Sequence, residues 1–126
     1  MAVTHSKGQL EASVSQAITQ FEREHLGRGP REVRAWIIQD LILVRLNGVL
    51  TPAEEKLAQD AEGLRLVKEV RRQLIESSSS TLDSMIERLT GVRVVSLHSD
   101  ISVTTNERII VFTLAEDLEA KLRTQT

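Results

Sequence analysis

Residues 51–91, TPAEEKLAQDAEGLRLVKEVRRQLIESSSSTLDSMIERLTG, decide the fold because they encode both ends of a long helical segment. At the start, the Thr51 hydroxyl can accept a hydrogen bond from the Glu54 N–H while the Glu54 carboxylate reaches back to the Thr51 N–H. Pro52 occupies a first-turn position where its missing N–H costs nothing. At the other end, Gly91 tolerates the left-handed conformation that closes a helix. These signals predict a helix that begins after Thr51 and ends before Gly91.

An apolar stripe follows the predicted helix at steps of three and four residues, while charged residues occupy the other side. The stripe consists of Leu57, Leu64, Val67, Leu74, Ile75, Leu82, Met85, Ile86 and Leu89. The mixed charges, typical of a solvated helix face, are Arg65, Lys68, Glu69, Arg71, Arg72 and Glu76. At 1.5 Å per residue, an unbroken helix would approach about 60 Å, more than the diameter of a domain this small. The helix must therefore break or pack against a partner chain.

Two places are candidates for such a break. Gly63 costs about 1 kcal/mol relative to Ala in a helix, and the apolar stripe skips a step there, which predicts a short helix before it and a longer one after. The serines at 77–80 also have poor helix propensity, and Ser80 with Asp83 can cap a new helix. The apolar pattern continues across these serines, however. We therefore expect an uninterrupted helix there, with an exposed serine turn.

The spacing of apolar residues changes in the segments before residue 51 and after residue 91. Residues 9–26 predict an amphipathic helix that Gly27 ends, and residues 115–123 predict a short C-terminal helix or a frayed tail. Alternating apolar residues predict two β-hairpins, at 32–50 and 92–114, and the second contains a run that is apolar on both faces and indicates a central strand. The order is helix, β-hairpin, long helix, β-hairpin, short C-terminal helix. This predicts an α+β fold with antiparallel strands packed on helices, in a single domain over residues 1–126 with its core at about 8–122.

Composition excludes several classes of function. The 126 residues include 16 Lys and Arg against 18 Asp and Glu, for a net charge of -2, and only two Phe, one Trp and no Tyr. The chain lacks a basic field and base-stacking residues are scarce, so we expect no nucleic-acid partner. Without cysteine there is no disulfide, thiolate metal site or Cys nucleophile. No apolar run approaches the roughly 20 residues of a membrane span, and the polar start lacks a signal core. We expect a soluble, cytoplasmic protein with no direct membrane insertion.

Four short motifs carry a family resemblance. They are Gly27-Arg28-Gly29-Pro30, LNGVLTPAE at 46–54, Leu89-Thr90-Gly91-Val92 and Asp100-Ile101-Ser102. Over about residues 8–114 the chain resembles a small bacterial family of unknown function, the MpsC-like domain of a Na+-translocating, membrane-potential-generating system. The resemblance implies association with a membrane system and supplies no catalytic residues. With no spanning segment, the chain is not expected to form an ion path itself.

Arginines supply the candidate anion sites. Arg28 and Gly29 lie in a turn where a close backbone approach and a guanidinium can hold an anion, although a helix stop followed by strand entry is the favoured interpretation. Arg34 and Arg45, with Arg93 and Arg108, fall on strands and can form a basic sheet face. Because the charges nearly balance, ion pairs with helix carboxylates are the favoured alternative.

The remaining candidates are a polar pair and an interface. His98 and Asp100 share one strand face, and we expect a hydrogen-bonded surface pair rather than a metal site or an acid–base dyad. Trp36, the sole Trp, is expected to anchor an interface. The helix residues Leu74, Leu82 and Ile86 are expected to join it, because a long apolar stripe and two hairpins offer more surface than one chain can cover.

These observations predict a non-enzymatic accessory or regulatory protein that acts by self-association and protein binding, as a homodimer. It needs no cofactor and no metal. By the resemblance, it is associated with a cation- or bicarbonate-linked membrane system and has a membrane-protein partner. The alternative is a small-anion or nucleotide-phosphate sensor that uses the turn at 27–30 and the strand arginines.

Overall fold

The computed structural model describes the part of the chain formed by residues 6–27 and 29–124. It contains helices α1 (Lys7–Leu26), α2 (Pro52–Leu57), α3 (Ala61–Ser77), α4 (Ser79–Thr90) and α5 (Leu118–Arg123). Its strands are β1 (Glu32–Ile38), β2 (Leu41–Asn47), β3 (Val94–Ser102) and β4 (Glu107–Leu114). The predicted α+β class and element order are confirmed, except that the central helical segment forms three helices.

The strands form a single antiparallel sheet with the order β1-β2-β4-β3. The two hairpins therefore meet through β2 and β4, which occupy the centre, while β1 and β3 are the outer strands. This confirms the prediction that the doubly apolar run in β4 forms a central strand. Because side chains alternate along a strand, one face of the sheet carries the buried residues, including Ile37, Val44, Ile110 and Phe112.

The helices cover that buried face. Leu10, Val14 and Ile18 of α1 join the sheet residues in one apolar cluster, to which α3 contributes Val67 and Ile75. Leu82 and Ile86 of α4 belong to the same cluster and are 0% exposed. The prediction of Leu82 and Ile86 as interface residues is corrected by this burial, because neither has a surface to offer a second chain. The apolar stripe is largely satisfied inside one copy.

Local signals at the helix ends act as the sequence predicts. Thr51 and Glu54 form the reciprocal capping box, with N···O distances of 3.1 Å from Glu54 N to Thr51 Oγ1 and 2.9 Å from Thr51 N to Glu54 Oε1. Gly27 and Gly91 adopt left-handed conformations, with φ of 78° and 72°, directly after α1 and α4. These caps satisfy backbone groups that the helix ends would otherwise leave unpaired.

The break before Gly63 is confirmed, whereas the expected continuity across the serines is wrong. The Asp60 side chain caps α3 by accepting from Gly63 N at 2.7 Å, after the short helix α2. Farther along, α3 ends at Ser77, Ser78 adopts φ -103° and ψ 3°, and α4 begins at Ser79. An unbroken helix over 61–90 would be about 45 Å long, against about 30 Å for the nine-residue β3. The break keeps both halves over the sheet.

Carboxylates accept hydrogen bonds from backbone N–H groups of both outer strands and of the turn that follows β1. The donors and acceptors are Ile37 N to Glu11, Gln39 N to Glu119, Val94 N to Glu87 and Ile101 N to Asp100, all between 2.8 and 2.9 Å. A strand from another chain would have to displace these carboxylates before it could pair. The capped edges therefore work against the expectation that exposed strand edges invite pairing.

A charged network is buried between the helices and the sheet. Arg71 of α3 binds Glu54 through two contacts, Nε to Oε2 at 2.9 Å and Nη2 to Oε1 at 2.5 Å, and also donates to the Val49 carbonyl at 2.8 Å. Glu22 of α1, 1% exposed, lies 4.0 Å from Arg71 Nη1 and 3.7 Å from Arg108 Nη1. The expectation that Arg71 lies on a solvated face is wrong, since it is 2% exposed.

Replacing Arg71 should lower the stability of the fold, because the buried network depends on its charge. Arg71→Met leaves Glu22 and Glu54 without their shared cation, so we expect the free energy of unfolding to fall by about 3–5 kcal/mol. Arg72→Met is the matched control, because its neighbouring guanidinium also contacts two glutamates but does so in solvent. Urea denaturation should show little change for Arg72→Met. Equal losses in the two variants would contradict a special role for Arg71.

The two helical glycines should respond oppositely to alanine. A Cβ at position 63 would overlap the Leu57 carbonyl oxygen, whereas nothing lies within 4 Å of a Cβ at position 8. We expect Gly63→Ala to destabilise by about 1–3 kcal/mol despite the better helix propensity, and Gly8→Ala to stabilise by up to about 1 kcal/mol. Thermal unfolding monitored by circular dichroism measures both. Stabilisation by Gly63→Ala would mean that the α2–α3 turn relaxes freely.

Candidate functional site

The face of the sheet opposite the core is not covered by any helix in the described part of the chain. We call it the open face, and none of its side chains is buried. It consists of Glu32, Arg34, Trp36 and Ile38 of β1; Leu41, Leu43, Arg45 and Asn47 of β2; Glu107, Ile109, Val111 and Thr113 of β4; and Ser96, His98, Asp100 and Ser102 of β3. This surface is unusual because its large apolar side chains are partly exposed to water.

Strand register arranges the open face in rows that cross all four strands. One row contains Trp36, Leu43, Val111 and His98, and the row beside it contains Ile38, Leu41, Thr113 and Ser96. A third row contains Arg34, Arg45, Ile109 and Asp100. The structure thus brings together five residues that the sequence singled out separately, at 34, 36, 45, 98 and 100. Their common surface depends on the nonlocal β2–β4 pairing.

The charges at the two sides of the open face are incompletely matched. Arg45 Nε contacts Glu107 Oε2 at 2.6 Å. Arg34 stands directly opposite Arg45 across the β1–β2 ladder, a like-charge arrangement that is unfavourable. Among the described residues Arg34 has no ion-pair partner and Asp100 has no cationic partner. Opposite charges therefore stand unpaired on the two outer strands, in one row.

The predicted His98–Asp100 pair does not form as a hydrogen bond. His98 Nε2 lies 3.2 Å from Ser96 Oγ, and Asp100 Oδ1 instead accepts from Ile101 N at 2.8 Å. Residues two apart on a strand are separated by about 7 Å, so each side chain finds a nearer partner. The two do share the open face, as the alternation predicts.

Of the two residues predicted for the anion turn, the structure describes Gly29. Arg28 lies outside the described residues. Gly29 is half-buried at the entry to β1, where the Arg23 side chain packs against it. Arg34 and Arg45 belong to the open face, and Arg45 pairs with the strand residue Glu107 rather than with a helix carboxylate. The structure therefore gives no shared anion site for Gly29 with the two arginines.

A separate cavity of about 320 Å³ lies between α3 and β3, and we call it the α3–β3 cavity. Its lining consists of Arg65, Lys68, Glu69 and Arg72 of α3, Ser99, Asp100 and Ile101 of β3, and Arg108 of β4. The sequence places Arg108 on a strand but does not predict that a cavity brings it near the cations of α3. Only the spacing of residues 65, 68 and 72, which places them on one helix face, was available as a signal.

Residues 6–27 and 29–124 contain no group of three or more His, Asp or Glu side chains arranged to hold a metal ion. None of the helices there combines the length and apolar character that a membrane crossing requires.

The fold and the open face define a two-layer α+β protein whose sheet has helices on one side only. Comparison with known proteins identifies the family within this fold class. The chain belongs to the MpsC family: the family model described as "Na+-translocating membrane potential-generating system (MpsC)" matches residues 6–116.

Two relatives from Bacillus subtilis (strain 168) support this membership. The chain is 44% identical to "Uncharacterized protein YbcI" over 117 residues, which cover 93% of this chain and 94% of that protein. It is 31% identical to "Uncharacterized protein YrhF" over 97 residues, covering 75% and 79% of the two chains. No solved structure gives a significant match.

The buried network should give stability a characteristic pH dependence. Burial raises the pKa of Glu22 above its ordinary value of 4.5, against the opposing attraction of Arg108 and Arg71. In the interval above pH 4.5 the folded state therefore holds more protons than the unfolded state, and stability falls as pH rises. Glu54 behaves oppositely: burial favours its neutral form, but hydrogen bonds from Arg71 and Thr51 outweigh this and lower its pKa, so its contribution is lost as pH falls.

We expect Glu22→Gln to remove the decline in the free energy of unfolding above pH 4.5 while leaving the acid limb. Urea titrations at successive pH values measure this slope. Glu24→Gln, at an exposed position on the same helix, is the control and should keep the wild-type slope. A Glu22→Gln curve parallel to wild type throughout would show that Glu22 titrates in the folded protein as it does in the unfolded chain.

Proposed function

We propose that this protein is a non-enzymatic accessory protein that acts as a homodimer joined through the open face. One observation supports this above the others: apolar rows of a partly exposed sheet stand beside an unpaired Arg34 and an unpaired Asp100 on opposite outer strands. A second copy satisfies both features at once, because it brings its own apolar rows and its own complementary charges.

Strand order determines how two copies fit. A two-fold axis parallel to the strands, between two stacked sheets, places β1 over β3 of the second copy and β2 over β4. Position along the strands is preserved, so each row faces its own counterpart. Leu43 then faces Val111 of the second copy at the centre, and Trp36 faces His98 of the second copy. Such an interface is isologous, with every contact formed twice.

The same operation brings Arg34 of each copy over Asp100 of the other. Stacked sheets lie about 10 Å apart, a gap that long side chains from both sides can fill. Apolar burial at the centre supplies most of the affinity, while the two ion pairs at the sides select this register over alternatives. The capped strand edges leave face-to-face stacking as the open route to association.

The link to a membrane system enters through the family description, which names a Na+-translocating membrane potential-generating system. We propose that the dimer acts in the cytoplasm beside such a cation- or bicarbonate-linked system, through a membrane-protein partner. The described helices do not cross a membrane, so a partner would provide any ion path.

Leu43→Glu should dissociate the dimer, because it places a charge at the centre of the stacked apolar rows. Val70→Glu is the matched control, since Val70 is 45% exposed on the outer side of α3, next to the predicted interface residue Leu74, which is 37% exposed. Size-exclusion chromatography with light scattering should give a dimer for wild type and Val70→Glu, and a monomer for Leu43→Glu. A monomeric wild type at micromolar concentration contradicts the proposal. So does dissociation by Val70→Glu alone, which would move the contact to α3.

Charge reversal tests the register. Arg34→Glu and Asp100→Lys should each weaken the dimer by about tenfold, because each places like charges against each other. The double variant restores opposite charges in exchanged positions and should recover most of the affinity. Sedimentation equilibrium measures the three constants. Additive weakening in the double variant would exclude the Arg34–Asp100 contact.

A further inference from the structure

The α3–β3 cavity brings cations from two elements to one space. Arg65, Lys68 and Arg72 lie along one side of α3, and Arg108 of β4 lies at the buried end. A volume of about 320 Å³ is ample for a small ion with its first waters. The cavity shares one residue with the open face, Asp100 of the outer strand β3, whereas Arg108 lies on the core side of the sheet, where it is 1% exposed.

Arg108 has unused hydrogen-bonding capacity. Its Nε and Nη1 atoms are buried without a hydrogen-bond partner in the described part of the chain. Nη1 lies 3.7 Å from Glu22 Oε2, too far for a hydrogen bond, and Nη2 reaches the Arg71 carbonyl only at 3.5 Å. Buried donors without a partner are unfavourable, so an acceptor bound beside them is favoured.

The cations of α3 differ in whether they already form ion pairs. Arg72 contacts both Glu69 and Glu76, and hydrogen bonds from Arg72 and Gln73 lower the pKa of Glu69 to about 2. Neither Arg65 nor Lys68 forms an ion pair among the described residues. Both therefore remain available to an incoming anion, and flexible side chains at the mouth can close over it.

The charge balance favours an anion. Four cations line the cavity against two carboxylates, those of Glu69 and Asp100, which leaves a formal excess of two positive charges. Glu69 is paired with Arg72, and near the buried end Arg71 is engaged by Glu54. The Ser99 side chain, half-buried across from α3, adds a hydroxyl donor. A fixed guanidinium, two free cations and a hydroxyl match the several acceptor oxygens of a phosphate group.

We propose that the α3–β3 cavity binds a phosphate group, with Arg108 as the buried anchor and Arg65 and Lys68 as the closing cations. The site differs from the predicted anion residues Gly29, Arg34 and Arg45, none of which lines this cavity. It does not depend on the homodimer, because all the residues come from one copy.

Isothermal titration calorimetry with inorganic phosphate and with AMP, at constant ionic strength, tests the site and its source. We expect binding of phosphate in the millimolar range or tighter. Equal affinity for AMP and phosphate identifies the free ion as sufficient, and tighter binding of AMP identifies a nucleotide ligand. The double variant Arg65→Gln and Lys68→Gln should weaken binding at least tenfold or so.

The control removes the same two charges elsewhere, with Lys56→Gln and Arg88→Gln, both exposed and outside the cavity lining. It should bind as wild type does. Arg108→Gln should abolish binding, and circular dichroism verifies that it is folded; if it is not, the Arg65 and Lys68 variant decides the question alone. Absence of heat with both ligands overturns the proposal. So does equal weakening in the double variant and its control, which would indicate nonspecific attraction.

Discussion

The buried guanidinium of Arg71 is the constraint on which the arrangement of the other elements depends. It binds Glu54, which belongs to the capping box of α2, and so connects α2 to α3. It also donates to the carbonyl of Val49, just before α2, and lies near Glu22 of α1. A charge so buried is tolerated only when its partners are held in place, so four chain segments must come together around it. Its position holds α3 over the core side of the sheet, and that in turn places the α3–β3 cavity.

Placing the helices on one side has a direct consequence for the other side. The core is completed within one copy, with Leu82 and Ile86 fully buried, yet the apolar rows around Leu43 and Val111 stay partly in water. Carboxylates accept from Ile37 N of β1 and from Val94 N and Ile101 N of β3, which disfavours lateral growth of the sheet but does not hinder stacking. The uncovered sheet, not the length of a helix, favours association. The α3–β3 cavity shares Asp100 with this face, but a single copy of the chain supplies its whole lining.

The sequence predicted local features well because neighbouring residues create them. The capping box at Thr51, the helix stop at Gly27 and the doubly apolar β4 all depend on groups within a few residues. The serine break was missed for a related reason: the apolar period continues from Leu74 to Leu82, and only the finite length of the sheet makes a break favourable. Arg71 was assigned to solvent because its neighbours in the helix are charged, whereas its partners come from α1 and α2.

By itself, then, the sequence determined the order of helices and strands, their caps and the alternation that gives each strand two faces, since these follow from backbone propensities and short-range hydrogen bonds. Only the tertiary structure decided the sheet order β1-β2-β4-β3, which places Arg34 and Asp100 at opposite sides of one row. It also decided that Glu22, Arg71 and Arg108 share a buried space. Both outcomes depend on contacts between distant segments, and the spacing of residues along a helix or strand does not record which distant segment will pack against it.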